Sequence, residues 1–325
     1  MNIYVTRQIP QIGIDMLTTK GYKVVVGDDK EPPSKKRLLK MLKKDRYDAV
    51  LTLLTDIVDV EFLDAAGPQL KVVSNYAVGF NNFNLNDAVG RNIVMTNTAG
   101  ISSDCVAEHT VALILALTTR ITEADQFMKK GKYKGWDPMI FIGTDLCGKT
   151  IGLIGAGHIG SRVAMHLGKG FESKIIYYDV KRNADIEAQG AVFVEKIEDV
   201  LSQSDVISLH VPLLPTTHHL INEERLKMMK SSAFLINTSR GAVVDEKALV
   251  AALQKGTIKG AGLDVYEDEP NLAKGLIKLP NVVLTPHIAS ARESARKEMA
   301  ISAVQNIIDV FEGREPKGKI TLPVV

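Results

Sequence analysis

A glycine-rich segment in the middle of the chain is the feature that most narrows its possible folds. Residues 155–160 read Gly-Ala-Gly-His-Ile-Gly, directly after an apolar run and at the start of a helical pattern. In that context GxGxxG marks a strand, a tight turn and a helix whose first N–H groups bind a pyrophosphate. The glycines permit the turn, the approach of phosphates to the backbone and the close packing of helix on strand. The predicted cofactor contacts in this segment are Gly155, Gly157, His158, Ile159 and Gly160.

An acidic residue stands where the next strand of such a unit would end. Asp179 follows Gly160 by 19 positions, and a carboxylate there can accept hydrogen bonds from the adenosine ribose hydroxyls. It would repel a 2′-phosphate, whereas Lys181 and Arg182 just beyond it could receive one. We therefore expect NAD as the cofactor rather than NADP. A methyltransferase of related fold also carries an acid here, so chemistry elsewhere in the chain has to separate the two.

Short β-branched runs alternate with amphipathic segments on both sides of residue 100, as parallel sheets with crossover helices require. The runs cover 3–5, 24–26, 50–54, 72–73 and 93–95, and then 150–154, 175–178, 206–209, 234–236, 262–265 and 282–284. A helical pattern over about 102–130 is interpreted as a connection between domains. Another, over about 291–311, is expected to return to the first domain.

The predicted fold class is therefore α/β, with two doubly wound parallel-sheet domains and a cleft between them. A flavodoxin-like substrate domain is expected at 1–99 and 288–325, and a Rossmann cofactor domain at 100–287. With 325 residues, of which 45% are hydrophobic, the chain is long enough for two domains of this kind.

The charge balance argues against nucleic acid and membrane partners. Forty basic residues against 38 acidic ones leave a net charge of +2, which gives no electrostatic footprint for nucleic acid or an anionic membrane. The most basic stretch, 35–46, carries leucines at helical spacing and predicts an amphipathic helix with a solvated face. The longest apolar stretch, 111–117, is far short of the ~20 residues of a membrane helix. We expect neither partner.

The two cysteines give no sign of a metal site or a disulfide framework. Cys105 and Cys147 lie far apart and show no CxxC spacing. A reducing compartment suits such a pair, so we expect a cytoplasmic protein with no metal.

Three polar residues follow strands of the second block, at the edge where open α/β sheets bind ligands. Reduction of a 2-oxo acid needs a cation for the carboxylate, a proton donor for the carbonyl oxygen and a group that keeps this donor charged. Arg240 has the planar fork that suits a carboxylate. His287 follows a strand and a proline, and Glu269 could stabilise its imidazolium, with Asp264 tuning the same site.

Each of these residues also has a simpler interpretation. Arg240 could form a surface ion pair, His287 could be structural, and Glu269 could belong to a solvated acidic turn. Their spacing in the sequence does not bring them together.

The motifs taken jointly resemble those of the D-isomer-specific 2-hydroxyacid dehydrogenases. The matching segments are 155–160, 238–243 (Thr-Ser-Arg-Gly-Ala-Val), 261–270 (Ala-Gly-Leu-Asp-Val-Tyr-Glu-Asp-Glu-Pro) and 285–290 (Thr-Pro-His-Ile-Ala-Ser). Order and spacing agree over essentially the whole chain. Residues 74–82 are similar to the substrate loop of the glyoxylate/hydroxypyruvate reductase branch. Asn81 and Ala99 depart from that pattern without touching the proposed chemistry.

The resemblance implies a role for each catalytic candidate. Arg240 would anchor the substrate carboxylate, Glu269 would partner His287, and His287 would protonate the alkoxide as hydride reaches C2. Substrate contacts are implied for Leu54, Val78, Gly79, Arg240 and His287, with Val78 and Gly79 acting through their backbone amides. Further cofactor contacts are implied for Ser103, Val180, Lys181, Val211, Pro212, Thr217, Thr238, Ser239, Arg240, Asp264, His287 and Ala289. A homodimer is implied as well.

Other functions fit parts of the pattern. Corepressors of the same family bind NAD and keep the three catalytic positions while acting as interaction platforms, but the compact length with no evident disordered tail speaks against this function. Many phosphoglycerate dehydrogenases carry a further regulatory domain, for which the chain leaves no room. Formate dehydrogenases of this fold are expected to pair the histidine with glutamine, where this chain has Glu269. A methyltransferase needs none of the three residues.

Overall fold

A computed structural model describes residues 1–322 of the chain. They form two compact units, one of Met1–Ser102 with the segment from Ala291 onward and the other of Ser103–Ser290. These boundaries lie three residues after 99/100 and 287/288, and the functional division predicted there stays a prediction. Each unit holds one parallel β-sheet. The predicted α/β class with two parallel sheets is therefore confirmed.

The first unit is a five-stranded sheet in the order β2-β1-β3-β4-β5, with helices on its faces. Its strands are β1 (Asn2–Val5), β2 (Lys23–Val26), β3 (Ala49–Thr52), β4 (Val72–Asn75) and β5 (Val94–Thr96). Its helices are α1 (Gln11–Thr19), α2 (Lys35–Leu42), α3 (Val60–Ala66), α4 (Leu85–Ala88) and α12 (Glu293–Phe311). All residues of β3 and β4 are buried, as expected for strands covered on both faces.

The last helix packs within the first unit. α12 packs against α1 and β4, and one hydrophobic cluster joins it to the sheet through Ile3, Leu17 and Ile307. A second cluster, which includes Tyr4 and Phe62, covers the other face. The basic stretch forms α2, which buries two leucines and exposes its lysines. The amphipathic helix predicted there is confirmed.

The second unit is a seven-stranded sheet in the order β12-β11-β10-β9-β6-β7-β8. Its strands are β6 (Thr150–Ile154), β7 (Lys174–Tyr178), β8 (Val192–Phe193), β9 (Val206–Leu209), β10 (Phe234–Asn237), β11 (Gly260–Leu263) and β12 (Val282–Leu284). Its helices are α5 (Ser103–Thr118), α6 (Ile121–Lys129), α7 (His158–Gly170), α8 (Ala184–Glu187), α9 (Ile197–Gln203), α10 (Glu223–Met228) and α11 (Glu246–Lys255). The order reverses at β6, which is flanked by β9 and β7, so the glycine-rich turn lies at the switch point of the sheet.

The helical pattern over about 102–130 forms two helices rather than one continuous helix. α5 and α6 are bent by 64°, and Arg120 between them has a left-handed φ of 56°. Arg120 donates to Glu123 at 2.9 Å and lies 5.2 Å from the ring centre of Phe141. α5 packs against α7, β10 and β11, whereas α6 has no buried residue. α5 is therefore a core helix of the second unit.

Two features of residues 1–322 bear on other functions. No single helix within 1–322 is long and apolar enough to cross a membrane. Among these residues, only the bent pair of α5 and α6, taken together, has the length and composition of a membrane span. Over the same residues, no group of three or more histidine, cysteine, aspartate or glutamate side chains could hold a metal ion.

Candidate active site

Three neighbouring strands of the second unit lead to the predicted catalytic residues. β10, β11 and β12 lie side by side and run parallel, so their carboxyl ends meet at one edge of the sheet. Arg240 follows β10, Glu269 lies in the loop after β11, and His287 follows β12. The fold thus brings together three residues whose proximity does not follow from their spacing in the sequence.

His287 and Glu269 form a direct pair. The imidazole Nδ1 lies 2.8 Å from Glu269 Oε2, and the N–H of Tyr266 donates to Oε1 at 3.1 Å. Burial raises the pKa of Glu269, but the hydrogen bond and charge of His287, the Tyr266 N–H and the charge of Arg240 outweigh it and hold this pKa below its usual value. The ionised carboxylate requires a proton on Nδ1, which leaves Nε2 to exchange a proton with a ligand.

The backbone of His287 is held in an unusual conformation. Its φ of 53° lies in the left-handed region. This conformation is energetically unfavourable for any residue other than glycine, and it persists only where the surrounding structure fixes it. The His287 N–H donates to the carbonyl of Asp264 at 2.9 Å. The hydroxyl of Tyr266 donates to the carbonyl of Thr285 at 2.9 Å. The histidine is therefore presented by a turn that is tied to β11 and its following loop.

Asp264 anchors this turn with its side chain. Its carboxylate is fully buried and accepts the N–H groups of Ile288 and Ala289 at 2.9 and 2.8 Å and the hydroxyl of Thr285 at 2.6 Å. Burial raises the pKa of Asp264, but hydrogen bonds from His109, Thr285 and the two N–H groups bring it below its usual value. Asp264 is thus an ionised anchor inside the protein.

Arg240 is positioned by its own strand end and by a close backbone contact. The side chain of Asn237 donates to the Arg240 carbonyl at 2.8 Å. A Cβ on Gly241 would lie 1.8 Å from the carbonyl carbon of Tyr266, so only glycine allows the two backbones to meet. Burial lowers the pKa of Arg240, while the charge of Glu269 acts in the opposite direction. Arg240 is a cation held beside the Glu269–His287 pair.

The glycine-rich turn has the shape that a dinucleotide phosphate requires. Gly155 has a φ of 98°, and a Cβ there would lie 2.6 Å from the carbonyl oxygen of His210. A Cβ on Gly160 would lie 2.2 Å from the Gly155 carbonyl oxygen. A Cβ on Gly157, the residue that caps α7, would meet open space. The helix start is therefore open to a ligand, with His158 exposed and Ile159 packed on the core.

Asp179 lies beside the same turn. Its Oδ2 accepts the N–H of Ala156 at 2.6 Å, and its Oδ1 accepts the N–H of Lys181 at 3.2 Å. Arg182 is used elsewhere: it donates to Glu187 at 3.0 and 2.8 Å. The carboxylate is half-buried at the end of β7, where hydroxyl groups of a ribose could reach it.

The remaining predicted cofactor residues lie at strand ends or at the start of α5. Thr238 is buried, and its hydroxyl lies 2.9 Å from that of Thr110. Thr217 donates to the Pro212 carbonyl at 2.6 Å and closes the loop after β9. The others are Ser103 at the start of α5, Val180 and Lys181 after β7, Val211 after β9, Ser239 after β10 and Ala289 in the turn held by Asp264. Their contacts with a cofactor stay predictions.

Two residues at this edge were missed by the sequence analysis. Asn183 donates to the Ala156 carbonyl at 2.7 Å and to the Ser161 hydroxyl at 3.0 Å, so it braces the glycine-rich turn. His210 follows β9, and its Nε2 lies 2.9 Å from the Ser208 hydroxyl. Burial lowers the pKa of His210 to about 3, so it is neutral at physiological pH. Only the position of His210 directly after a strand could have drawn attention to it.

The predicted substrate residues of the first unit follow its strands. Leu54 lies after β3, and Val78 and Gly79 lie after β4, all of them half-buried. The side chain of Asn82 donates to the carbonyls of Leu53 and Asp56 at 3.3 and 2.9 Å. The loop after β3 is thus joined to the loop after β4 within this unit.

The chain is similar to known dehydrogenases over nearly its whole length. Residues 111–289 match the family model described as D-isomer specific 2-hydroxyacid dehydrogenase, NAD binding domain. A glyoxylate reductase of Thermofilum pendens is 48% identical over 328 residues, covering 99% of this chain and 95% of that protein. A glyoxylate reductase of Thermococcus litoralis is 45% identical, covering 99% of this chain and 97% of that protein.

Solved structures agree with these matches. A Thermus thermophilus protein superposes with a TM-score of 0.92 at 39% identity, covering 99% of this chain and 100% of that one. A glyoxylate reductase from Paecilomyes thermophila gives a TM-score of 0.87 at 27% identity, covering 98% of both chains. The chain therefore belongs to the D-isomer specific 2-hydroxyacid dehydrogenase family, as its motifs predict.

Proposed function

We propose that the chain reduces a small 2-oxo acid of the glyoxylate or hydroxypyruvate type to the D-2-hydroxy acid with NADH. The observation that carries this proposal is the 2.8 Å His287–Glu269 pair beside Arg240, at the strand ends of a domain that matches an NAD-binding model. The glyoxylate reductase relatives, with identities of 48% and 45%, support the substrate class.

Arg240, Glu269 and His287 have different tasks in the reaction. When bound, NADH supplies the hydride that C2 of the 2-oxo acid accepts. Arg240 holds the carboxylate and attracts the developing alkoxide. His287, protonated on both nitrogens, gives the Nε2 proton to that oxygen, and Glu269 stabilises the imidazolium beforehand. One hydride and one proton thus convert the carbonyl to the alcohol, and neutral His287 serves as the base in the reverse direction.

The glycine-rich turn would hold the cofactor. Its backbone N–H groups at the open start of α7 suit a pyrophosphate. Asp179 would accept the ribose hydroxyls and repel a 2′-phosphate, and the pairing of Arg182 with Glu187 leaves that arginine occupied. We therefore propose NAD as the preferred cofactor. A comparison of kcat/KM with NADH and NADPH tests this, since a preference for NADPH would contradict it.

The other predicted contacts are part of the same proposal. Leu54 and the backbone amides of Val78 and Gly79 are proposed to contact the substrate. Ser103, the residues after β9 and β10, and Ala289 are proposed to line the cofactor. A cytoplasmic location, inferred from the two cysteines, completes it.

We also propose a homodimer, formed through an apolar surface on the second unit. The segment 133–142 exposes Trp136 by 83%, Met139 by 72% and Ile142 by 56%, and large apolar side chains exposed together mark an interaction surface. Beside it lies a cavity of about 560 Å³ lined by Phe127, Phe141 and residues of β12. A second copy of the same chain would cover this surface symmetrically.

The oligomeric state in solution tests the dimer. Trp136→Glu combined with Met139→Glu should convert a dimer into a monomer in sedimentation, whereas Ile57→Glu, which replaces a side chain 55% exposed in the first unit, should not. A wild-type monomer would contradict the proposal.

The function itself is tested by initial rates of NADH oxidation with glyoxylate, hydroxypyruvate, pyruvate and a branched 2-oxo acid. We expect turnover with glyoxylate and hydroxypyruvate to exceed that with the branched acid. Tight NADH binding without turnover of any acid would contradict the proposal and favour an NAD-binding interaction protein.

A further inference from the structure

The loop after β4 has three successive carbonyl groups that are each held by a hydrogen bond. The three acceptors belong to consecutive residues, and the donors come from the ends of β4 and β5. The bonds are Thr98 N to Ala77 O at 2.9 Å, Asn97 Nδ2 to Val78 O at 2.6 Å and Asn75 Nδ2 to Gly79 O at 3.0 Å. The plane of each peptide in this loop is therefore fixed.

The fixed carbonyls determine where the amide N–H groups point. These peptides are trans, so the C=O of one residue and the N–H of the next point in opposite directions. The N–H groups of Val78, Gly79 and Phe80 are consequently turned away from the ends of β4 and β5. Within residues 1–322 no acceptor for these three N–H groups is found, and Phe80 is 39% exposed. Successive outward N–H groups form a concave site for an anion.

The backbone of Asn97 is rigidly placed inside the first unit. Asn97 is 7% exposed, and its N–H donates to the Gly318 carbonyl at 2.9 Å. Its backbone carbonyl accepts the side-chain N–H of Asn306 at 3.1 Å. A Cβ on Gly318 would lie 2.1 Å from the Asn97 carbonyl oxygen, so the two segments are in close contact. The backbone from which this side chain reaches the Val78 carbonyl is therefore held in place.

Asn75 is fixed equally well. It is fully buried, its Oδ1 accepts the Thr52 hydroxyl at 3.1 Å, and its Nδ2 donates to Asn82 Oδ1 at 3.0 Å in addition to Gly79. The carbonyls of Val78 and Gly79 are thus both held by side chains of buried asparagines.

We propose that Asn97, supported by Asn75, is a positioning residue for carboxylate recognition. By holding the Val78 carbonyl it aims the Gly79 N–H at the substrate carboxylate, so the N–H groups need no reorientation when the acid binds. This inference rests on the proposed function for the identity of the substrate. The placement of the N–H groups itself comes from the first unit alone.

The substitution Asn97→Leu tests the proposal because leucine is close in size and cannot donate to Val78. Without this bond the Gly79 N–H is no longer aimed at the substrate carboxylate, and a hydrogen bond to that charged group is weakened or lost. We therefore expect KM for glyoxylate, and the Kd of the unreactive dicarboxylate oxalate, to rise by about tenfold to a hundredfold. The value of kcat should change less, and the Kd of NADH should stay within about twofold of wild type, since the cofactor N–H groups lie in α7. Asn97→Ser, too short to reach Val78, should behave alike if the leucine variant folds poorly.

A matched control separates positioning from general destabilisation. Asn2 donates from its side chain to the carbonyl of Arg46 at 2.8 Å, beside β1, so Asn2→Leu removes a comparable bond remote from the loop after β4. It should lower stability without changing KM or the oxalate Kd. An unchanged KM in the Asn97 variants, or an equal rise in the Asn2 variant, would overturn the proposal.

The two proposals fail in different ways. If the wild-type chain reduces glyoxylate and the Asn97 variants do so with an unchanged KM, the role of Asn97 is overturned and the proposed function stands. Wild-type chain that binds oxalate without reducing any 2-oxo acid would overturn the proposed function, and the oxalate Kd of the Asn97 variants would still decide the positioning role. Wild-type chain that binds no oxalate in calorimetry would overturn the positioning role.

Discussion

Replacement of Asp264 by asparagine should destabilise the second unit and slow the reaction. Both carboxylate oxygens accept hydrogen bonds, Oδ1 from the Thr285 hydroxyl and the Ile288 N–H and Oδ2 from the Ala289 N–H. An asparagine has one oxygen, so its NH2 group must face at least one of these donors. The change also removes the charge that strengthens the remaining bonds.

The expected cost follows from the burial of the site. Asp264 is 0% exposed, and one buried donor left without an acceptor costs about 1–3 kcal/mol, with a further loss from the weakened bonds. We therefore expect the free energy of unfolding to fall by about 3 kcal/mol. Because the same bonds hold the turn that presents His287, kcat should fall by about tenfold or more.

Urea unfolding at neutral pH and initial rates with glyoxylate measure the two effects. Asp125→Asn in α6 is the control, since Asp125 forms an exposed ion pair with Lys129 of the kind that contributes little. The pKa of Asp264 lies below its usual value in the folded state, so the stabilisation is present above a pH of about 4 and is lost as pH falls through the lower folded value. The asparagine variant should lack this acid-dependent part. Equal stability of the variant and wild type at neutral pH would refute the reasoning.

Two further substitutions test the close backbone contact and the histidine that follows β9. Gly241→Ala places a Cβ 1.8 Å from the Tyr266 carbonyl carbon, so the free energy of unfolding should fall by about 1–3 kcal/mol and much of the activity should be lost. Gly170→Ala, where a Cβ meets open space, is the control and should leave activity unchanged. An active Gly241→Ala enzyme would argue against the contact. His210 has a pKa lowered from 6.5 to about 3, so the folded state binds fewer protons and stability should fall as pH drops below 6.5, by about 1–2 kcal/mol near pH 5. His210→Gln should lose this part of the pH dependence in urea unfolding, and an unaltered slope would show that His210 does not cause it.

Local sequence signals identified the parts of the site that depend on backbone geometry. Gly155 needs a positive φ, Gly160 needs contact with the turn, and Asp179 stands at a strand end, so their spacing carries the cofactor site directly. Arg240, Glu269 and His287 were found as candidates because each follows a strand. Their proximity required the strand order β10-β11-β12, which no spacing along the chain specifies; the family resemblance supplied only the joint roles of the three residues.

The sequence did not reveal features that depend on contacts distant in the chain. Arg120 takes a left-handed φ without being glycine, so the break between α5 and α6 left no local trace. Asn97 is asparagine like many surface residues, and its bond to Val78 becomes visible only when β4 and β5 are paired. His210 and Asn183 matter through the turn they contact, and that contact is set by the packing of the sheet.

The rate of NADH-dependent glyoxylate reduction by His287→Ala, measured together with the Kd of NADH, tests the central claim most directly. A proton donor in the transition state contributes about 10²–10⁴-fold, so kcat should fall by that factor while NADH binds as in wild type. His166→Ala, which removes another histidine of the second unit from α7, should keep the wild-type rate. Turnover by His287→Ala at the wild-type rate would contradict the assignment of His287 as proton donor.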